Sequence, residues 1–175
     1  VVWSVQLGNE GNDRCYNIYE TPDRGFLVCA TDSSNTGIIL KLNNFGEMVW
    51  DNRLELHYPK QIINVGENFL VLGTTSHLLN GTDSDIYIQM IDASGMQKWK
   101  KYLGLNGKDE ELTGSYNETF KAACKGPYDN IFVAGKRKND IVWFDIDFDG
   151  VQLASGTIGD DGVDEPIEIA LSEDL

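Results

Sequence analysis

Ile38–Trp50 reads IILKLNNFGEMVW, Tyr87–Trp99 reads YIQMIDASGMQKW, and Val142–Ala154 reads VWFDIDFDGVQLA. Each is an apolar strand, then Asn or Asp, then a short turn closing on Gly46, Gly95 or Gly150, then a second strand. Glycine supplies the positive φ that a tight hairpin needs. Trp50 and Trp99 share one repeat position, which Ala154 takes in the third copy. A second element precedes each of these: Gly25–Ala30 (GFLVCA), Asn68–Gly73 (NFLVLG) and Asn130–Gly135 (NIFVAG). Apolar side chains on both faces predict strands covered on both sides.

The two ends of the chain also match. Leu7–Arg24 reads LGNEGNDRCYNIYETPDR and Ile158–Leu175 reads IGDDGVDEPIEIALSEDL, which sets Gly8 with Gly159, Gly11 with Gly162, Asp13 with Asp164 and Asp23 with Asp174. The pattern restarts near residue 154 after spacings of about 47–55 residues, the length of a small supersecondary repeat. One unit is four short strands. They are expected near Arg14–Glu20, Phe26–Ala30, Ile38–Leu42 and Glu47–Leu54 in the first unit. In the second they fall near Lys60–Val65, Phe69–Thr74, Ile86–Ile91 and Met96–Leu103. In the third they fall near Thr119–Lys125, Ile131–Gly135, Ile141–Ile146 and Val151–Thr157. No apolar stripe at 3.6 spacing lasts three turns, so no helix is expected.

Four antiparallel strands per unit, in a unit too small to bury both its faces, predict an all-β array of blades of the β-propeller type. The count is about three and a half repeats, with a β-solenoid or an irregular β-sandwich as the alternative. Residues 1–8 read as the last strand of a preceding blade, 9–55 as blade one, 56–104 as blade two, 105–158 as blade three, and 159–175 as the first strand of a next blade. Within the ends, Trp3–Leu7 and Pro166–Leu171 are the expected strands. Three units with a stray strand at each end do not close a ring, so the expectation is a piece of a longer chain, or copies that complete one another.

Composition narrows the function classes. The 175 residues carry a formal net charge of −14, with 41% hydrophobic and 24% charged residues. Such a surface repels nucleic-acid phosphates, so no nucleic-acid partner is expected. No apolar run approaches the roughly 18–20 residues that cross a bilayer, so no membrane span is expected. The three cysteines, Cys15, Cys29 and Cys124, form no framework, and His57 and His77 are the only histidines. A zinc site and a nucleophilic triad both lack their residues. Cys29 aligns with Leu72 and Ala134, a core position, and the register does not set Cys15 opposite it.

Asp145, Asp147, Asp149 and Gly150 match the opening of a calcium loop, whose hard oxygen ligands suit that cation. Leu153 and Gly156 stand where later ligands would be. Asp147 also sits at the repeat position of Asn43 and Asp92, which reads as a hairpin residue. Asp160, Asp161, Asp164 and Glu165 form a second acidic group, read as a solvated loop. Asn80 and Asn117 head glycosylation sequons. Tyr16 and Trp143 are the aromatics that would stack on a sugar if they are exposed.

The stretch Trp3–Asp13, then Thr21–Thr31, then Lys41–Gly46 and Trp50, resembles secreted bacterial and archaeal propeller repeats of the form W…GG…D…T.DGG(Y/F)…G.T…KLD..G…W. The second unit departs from it at Leu56–Pro59, and the third carries an insertion around Asn106–Tyr116. The resemblance implies an extracellular or cell-surface location. The repeat, the acidic surface and the missing catalytic motifs together point to a non-catalytic structural or interaction role, with protein partners: copies of itself or the rest of a longer chain. A carbohydrate- or small-ligand-binding propeller is the alternative. Ile91–Trp99 is also similar to the repeat of quinoprotein propellers, which implies a complete ring, a bound divalent metal and often a vicinal disulfide. The chain has no adjacent cysteines, so the quinoprotein-like enzyme is the lesser alternative. No catalytic residue and no cofactor are expected, with calcium the one cation the residues invite.

Overall fold

The computed structural model describes residues 3–8, 11–54, 57–75, 84–103, 118–160 and 162–170. These residues form three four-stranded antiparallel sheets, each built from strands consecutive in the chain. Blade one holds β1 (Arg14–Glu20), β2 (Phe26–Thr31), β3 (Gly37–Leu42) and β4 (Met48–Leu54). Blade two holds β5 (His57–Val65), β6 (Asn68–Thr75), β7 (Ile86–Asp92) and β8 (Gln97–Leu103). Blade three holds β9 (Glu118–Lys125), β10 (Asn130–Arg137), β11 (Asp140–Asp147) and β12 (Gln152–Ile158). No helix occurs among the described residues.

The three β3–β4-type hairpins are one structure repeated. Gly46, Gly95 and Gly150 have φ of 82°, 85° and 79°. Their amides donate to the carbonyls of Asn43, Asp92 and Asp147. The side chain of that same residue fastens the loop from inside. Asn43 Oδ1 accepts from the amides of Phe45 and Glu47, Asp92 Oδ1 from Ser94 and Met96, and Asp147 Oδ1 from Asp149 and Val151. The turn needs a short side-chain acceptor at its start and a left-handed residue at its end, which is why Asn/Asp and Gly recur there.

Alternation along the middle strands places one row on each face. Leu27, Cys29 and Ile39 of blade one meet Phe69, Val71 and Ile91 of blade two in one buried cluster. Leu70, Leu72 and Ile88 of blade two meet Ile131, Val133 and Phe144 of blade three in another. Each blade has a face toward the preceding blade and a face toward the following one. Stacking removes both from water, the main favourable term in such a repeat.

The innermost strands are tied across the blades by side-chain amides. Asn17 Oδ1 accepts from the Ile62 amide at 3.2 Å. Gln61 bonds both the amide and the carbonyl of Ala123, at 2.9 and 2.8 Å. Each amide follows a β-bulge, at Tyr16 and at Lys60, which turns the side chain toward the next blade. Blade three has Ala122 at this position, after a bulge at Lys121.

The end segments differ from expectation. Residues 3–8 and 162–170 make no sheet ladder in the described structure. A strand exists only through a sheet partner, and none of the three sheets extends to either segment. The packing of both is nonetheless that of the repeat. The Trp3 indole lies on Gly46, as Trp50 lies on Gly95 and Trp99 on Gly150. Trp3 Nε1 donates to Asn44 O and Trp50 Nε1 to Ala93 O, which are matching hairpin positions. Asp13 lies against Gly8, and Asp164 against Gly159.

Candidate functional site

The three carboxylates of the candidate calcium loop do separate jobs. Asp147 spends Oδ1 on its own hairpin amides. Asp145 sits on β11 and accepts from Asn130 Nδ2 at 2.7 Å, which ties it to the start of β10. Asp149 lies exposed at the hairpin tip. Among the described residues no group of three or more His, Cys, Asp or Glu side chains gathers in a geometry that would hold a metal ion. Asn80, Asn117, Asp161 and the insertion around Asn106–Tyr116 lie outside the described residues.

A site that the sequence reading missed lies in blade one. Lys41 is buried on β3, at the repeat position of Met90 and Asp145. Its ammonium donates to Thr21 Oγ1 at 2.6 Å, Asp23 Oδ1 at 2.8 Å and Leu42 O at 3.3 Å. All three protons are therefore used. The Lys41 ammonium, with help from the Thr21 hydroxyl, holds the Asp23 carboxyl down at about 2. The signal was a lysine flanked by strand residues apolar on both faces, with Thr and Asp in the preceding turn.

Asp32 plays a similar part between β2 and β3. Its Oδ1 accepts from Ser34 and Thr36, and its Oδ2 from Arg53 Nη1 at 2.7 Å. The Ser34 hydroxyl first, then the Thr36 amide and Arg53, bring its carboxyl to about 2. For both aspartates the folded value lies below the unfolded one. Their contribution to stability is therefore present above pH about 4 and lost as pH falls through about 2. The melting temperature is expected to fall over that window. Asp32→Asn should flatten part of the fall, because it keeps the turn's amide acceptor and removes the charge. Thermal melts at stepped pH check this.

Lys41 also gives a substitution contrast. Asp23→Ala leaves a buried ammonium with two neutral acceptors and is expected to cost about 2–3 kcal/mol. Lys41→Met restores the residue type of blade two and is expected to be near neutral, since an apolar side chain of similar volume replaces a desolvated charge. Urea denaturation of both variants checks the order.

Between blades one and two lies an open cleft of about 770 Å³. Pro22, Asp23 and Lys41 form one wall, and Phe69, Ser94 and Lys98 the other. The β1–β2 connection spans residues 21–25 and the β5–β6 turn only 66–67, so blade two leaves room above Phe69. Lys98 Nζ donates to Asn68 Oδ1 at 3.1 Å on the rim.

The cysteines are free. Cys29 is fully buried, and burial pushes its thiol up to about 12. Burial also raises Cys124. Cys15 faces Ala30 and Cys29 faces Asn17 across the β1–β2 ladder, so the two are not opposite. Both aromatics singled out for sugar stacking are partly buried and packed on one side. Lys60 Nζ sits 3.1 Å from the centroid of the Tyr16 ring. Trp143 covers Gly156 on the neighbouring strand.

With three stacked four-stranded sheets in place, comparison with solved structures is direct. The Dos1 propeller superposes with a TM-score of 0.53 at 12% identity, over 82% of this chain and 37% of that one. The fold is a propeller-type array of blades. A protein from Lactobacillus plantarum superposes with a TM-score of 0.52 at 15% identity, over 89% of this chain and 45% of that one. The chain thus spans less than half the length of either structure. No protein-family model matches it, and no curated protein matches it. At these identities the likeness concerns the fold alone.

Proposed function

We propose that the chain is a non-catalytic structural or interaction module of a secreted or cell-surface protein, and that its work is done by stacking with further blades of its own repeat type. One observation carries the reading. Leu27, Cys29 and Ile39 of blade one, and Leu70, Leu72 and Ile88 of blade two, are 0–1% exposed beneath the following blade. Their counterparts in blade three are Phe132, Ala134 and Trp143. Phe132 and Trp143 are larger than the residues they replace, and both remain partly exposed. Segment 162–170 borders the same blade, with Glu165 paired to Lys121 and Lys136. Ile167 on that segment is 91% exposed. An apolar face of this pattern is what a neighbouring blade covers.

The secreted or surface location rests on the repeat resemblance and on the net charge of −14. The intact mass and assembly state of the protein isolated from its source test the whole reading. Further blades on the same chain or assembly, with Trp143 shielded from aqueous quenchers, are expected. A 19.5 kDa monomer with an open Trp143 and measurable turnover would overturn it.

A second reading, a small-ligand-binding propeller, has the cleft above Phe69 in its favour. A glycan and metabolite screen by ligand-detected NMR, repeated with Phe69→Ala, tests it.

A further inference from the structure

The three sheets have six edge strands: β1, β4, β5, β8, β9 and β12. Five carry charge. β1 has Arg14 and Glu20, β4 has Asp51 and Arg53, and β5 has Lys60 with Pro59 beside it. β8 has Lys98, Lys100 and Lys101, and β9 has Glu118, Lys121 and Lys125. Charges and proline on an edge are the usual means of keeping its unpaired amides and carbonyls from joining another strand. β12, Gln152–Ile158, reads QLASGTI and has neither. Its exposed apolar residues include Leu153 at 57% and Ile158 at 60%. A bulge falls at Leu153, so Ala154–Ile158 remains a regular ladder against β11, and no strand among the described residues pairs with its outer edge.

We propose that the outer edge of β12 is a strand-pairing surface for β12 of a second copy, the two running antiparallel about a two-fold axis. Charge selects this occupant. The chain is strongly anionic, so copies repel except where a contact is locally neutral. With the two-fold axis at Gly156, Ala154–Ile158 pair with one another and Asp160 falls opposite Gln152, so no like charges oppose each other along the paired strands. β8 against β8 would gather three lysines from each strand, and β4 has already committed Arg53 to Asp32. A two-fold contact uses one patch twice and closes, so it ends at a dimer of eight-stranded sheets. This contact lies on the edge of blade three, apart from the face where a further blade would stack.

Sedimentation velocity of the chain over a concentration series tests the idea, with Thr157→Lys as the deciding variant and Ala154→Lys, on the face toward a further blade, beside it. Both positions are exposed, and far-UV circular dichroism confirms that each variant is folded. Lysine is the informative residue because it lowers the net negative charge, so a lost dimer cannot be laid to greater overall repulsion. A reversible dimer is expected, with its dissociation constant raised roughly tenfold or more by either substitution. Val49→Lys on β4 should leave it unchanged. A monomer at every concentration, or a dimer indifferent to Thr157→Lys, overturns the proposal. A dimer lost with Ile167→Glu or Ala154→Lys and kept with Thr157→Lys also overturns it, while favouring the stacked-face reading.

Discussion

Phe144→Ala is expected to destabilise the chain by about 4 kcal/mol, whereas Phe132→Ala is expected to cost about 1–2 kcal/mol. The two phenylalanines lie on adjacent strands of blade three and face opposite ways. Phe144 is fully buried against blade two, in the cluster with Leu70, Leu72 and Ile88. Truncating it removes the transfer free energy of an aromatic ring and leaves a cavity that two packed sheets cannot close. Phe132 occupies the equivalent of Leu27 and Leu70 on the other face, where it is partly exposed. Its ring leaves water only in part, and solvent fills the space after truncation. Urea denaturation of both variants measures the difference directly. If a further blade covers Phe132 in the natural assembly, the gap should narrow there, because both rings would then be core.

How far the fold was legible follows from the same face logic. β1 was expected at Arg14–Glu20 and is found there. The paired apolar runs of β2–β3, β6–β7 and β10–β11 announced themselves because they are buried on both sides. β5 was expected from Lys60 and begins at His57. Pro59 interrupts the strand pattern, and β5 is an edge strand, the place in a sheet where proline is tolerated. The motif at Asp145, Asp147 and Asp149 shows the opposite limit. Spacing alone fits a cation loop, while the hydrogen bonds of Asn130 and of the hairpin amides give two of the three carboxylates structural partners. The Lys41–Asp23 pair and the Asn17 and Gln61 bridges depend on residues brought together from different strands or blades. Local pattern carries periodicity, and periodicity does not specify which polar side chain meets which.

Trp50 and Gly95 test the joint between blades, and the expected result is a strong coupling. Trp50→Ala should cost about 3 kcal/mol, since the indole packs in the cluster between blades one and two and Nε1 donates to Ala93 O at 3.3 Å. Gly95→Ala should cost about 2–3 kcal/mol for two separate reasons. Its φ of 85° is unfavourable for any residue with a Cβ, and that Cβ would stand 2.9 Å from Asn52 Nδ2 and 3.0 Å from the Trp50 ring. The first cost is intrinsic to the hairpin and survives removal of the tryptophan; the Trp50 share of the second does not. In the double variant the ring is gone, so only the backbone strain and the Asn52 contact remain. The two single costs should therefore exceed the cost of the double variant by about 1 kcal/mol. Gly66→Ala supplies the reference for the backbone part. Gly66 has φ of 64° and nothing within 4 Å of where a Cβ would stand, so its cost should be the conformational one alone, about 1 kcal/mol, and independent of Trp50. A Gly95–Trp50 cycle that closes to zero would mean the indole yields freely, and the Trp-on-Gly contact would then be a consequence of blade stacking rather than a cause of its spacing.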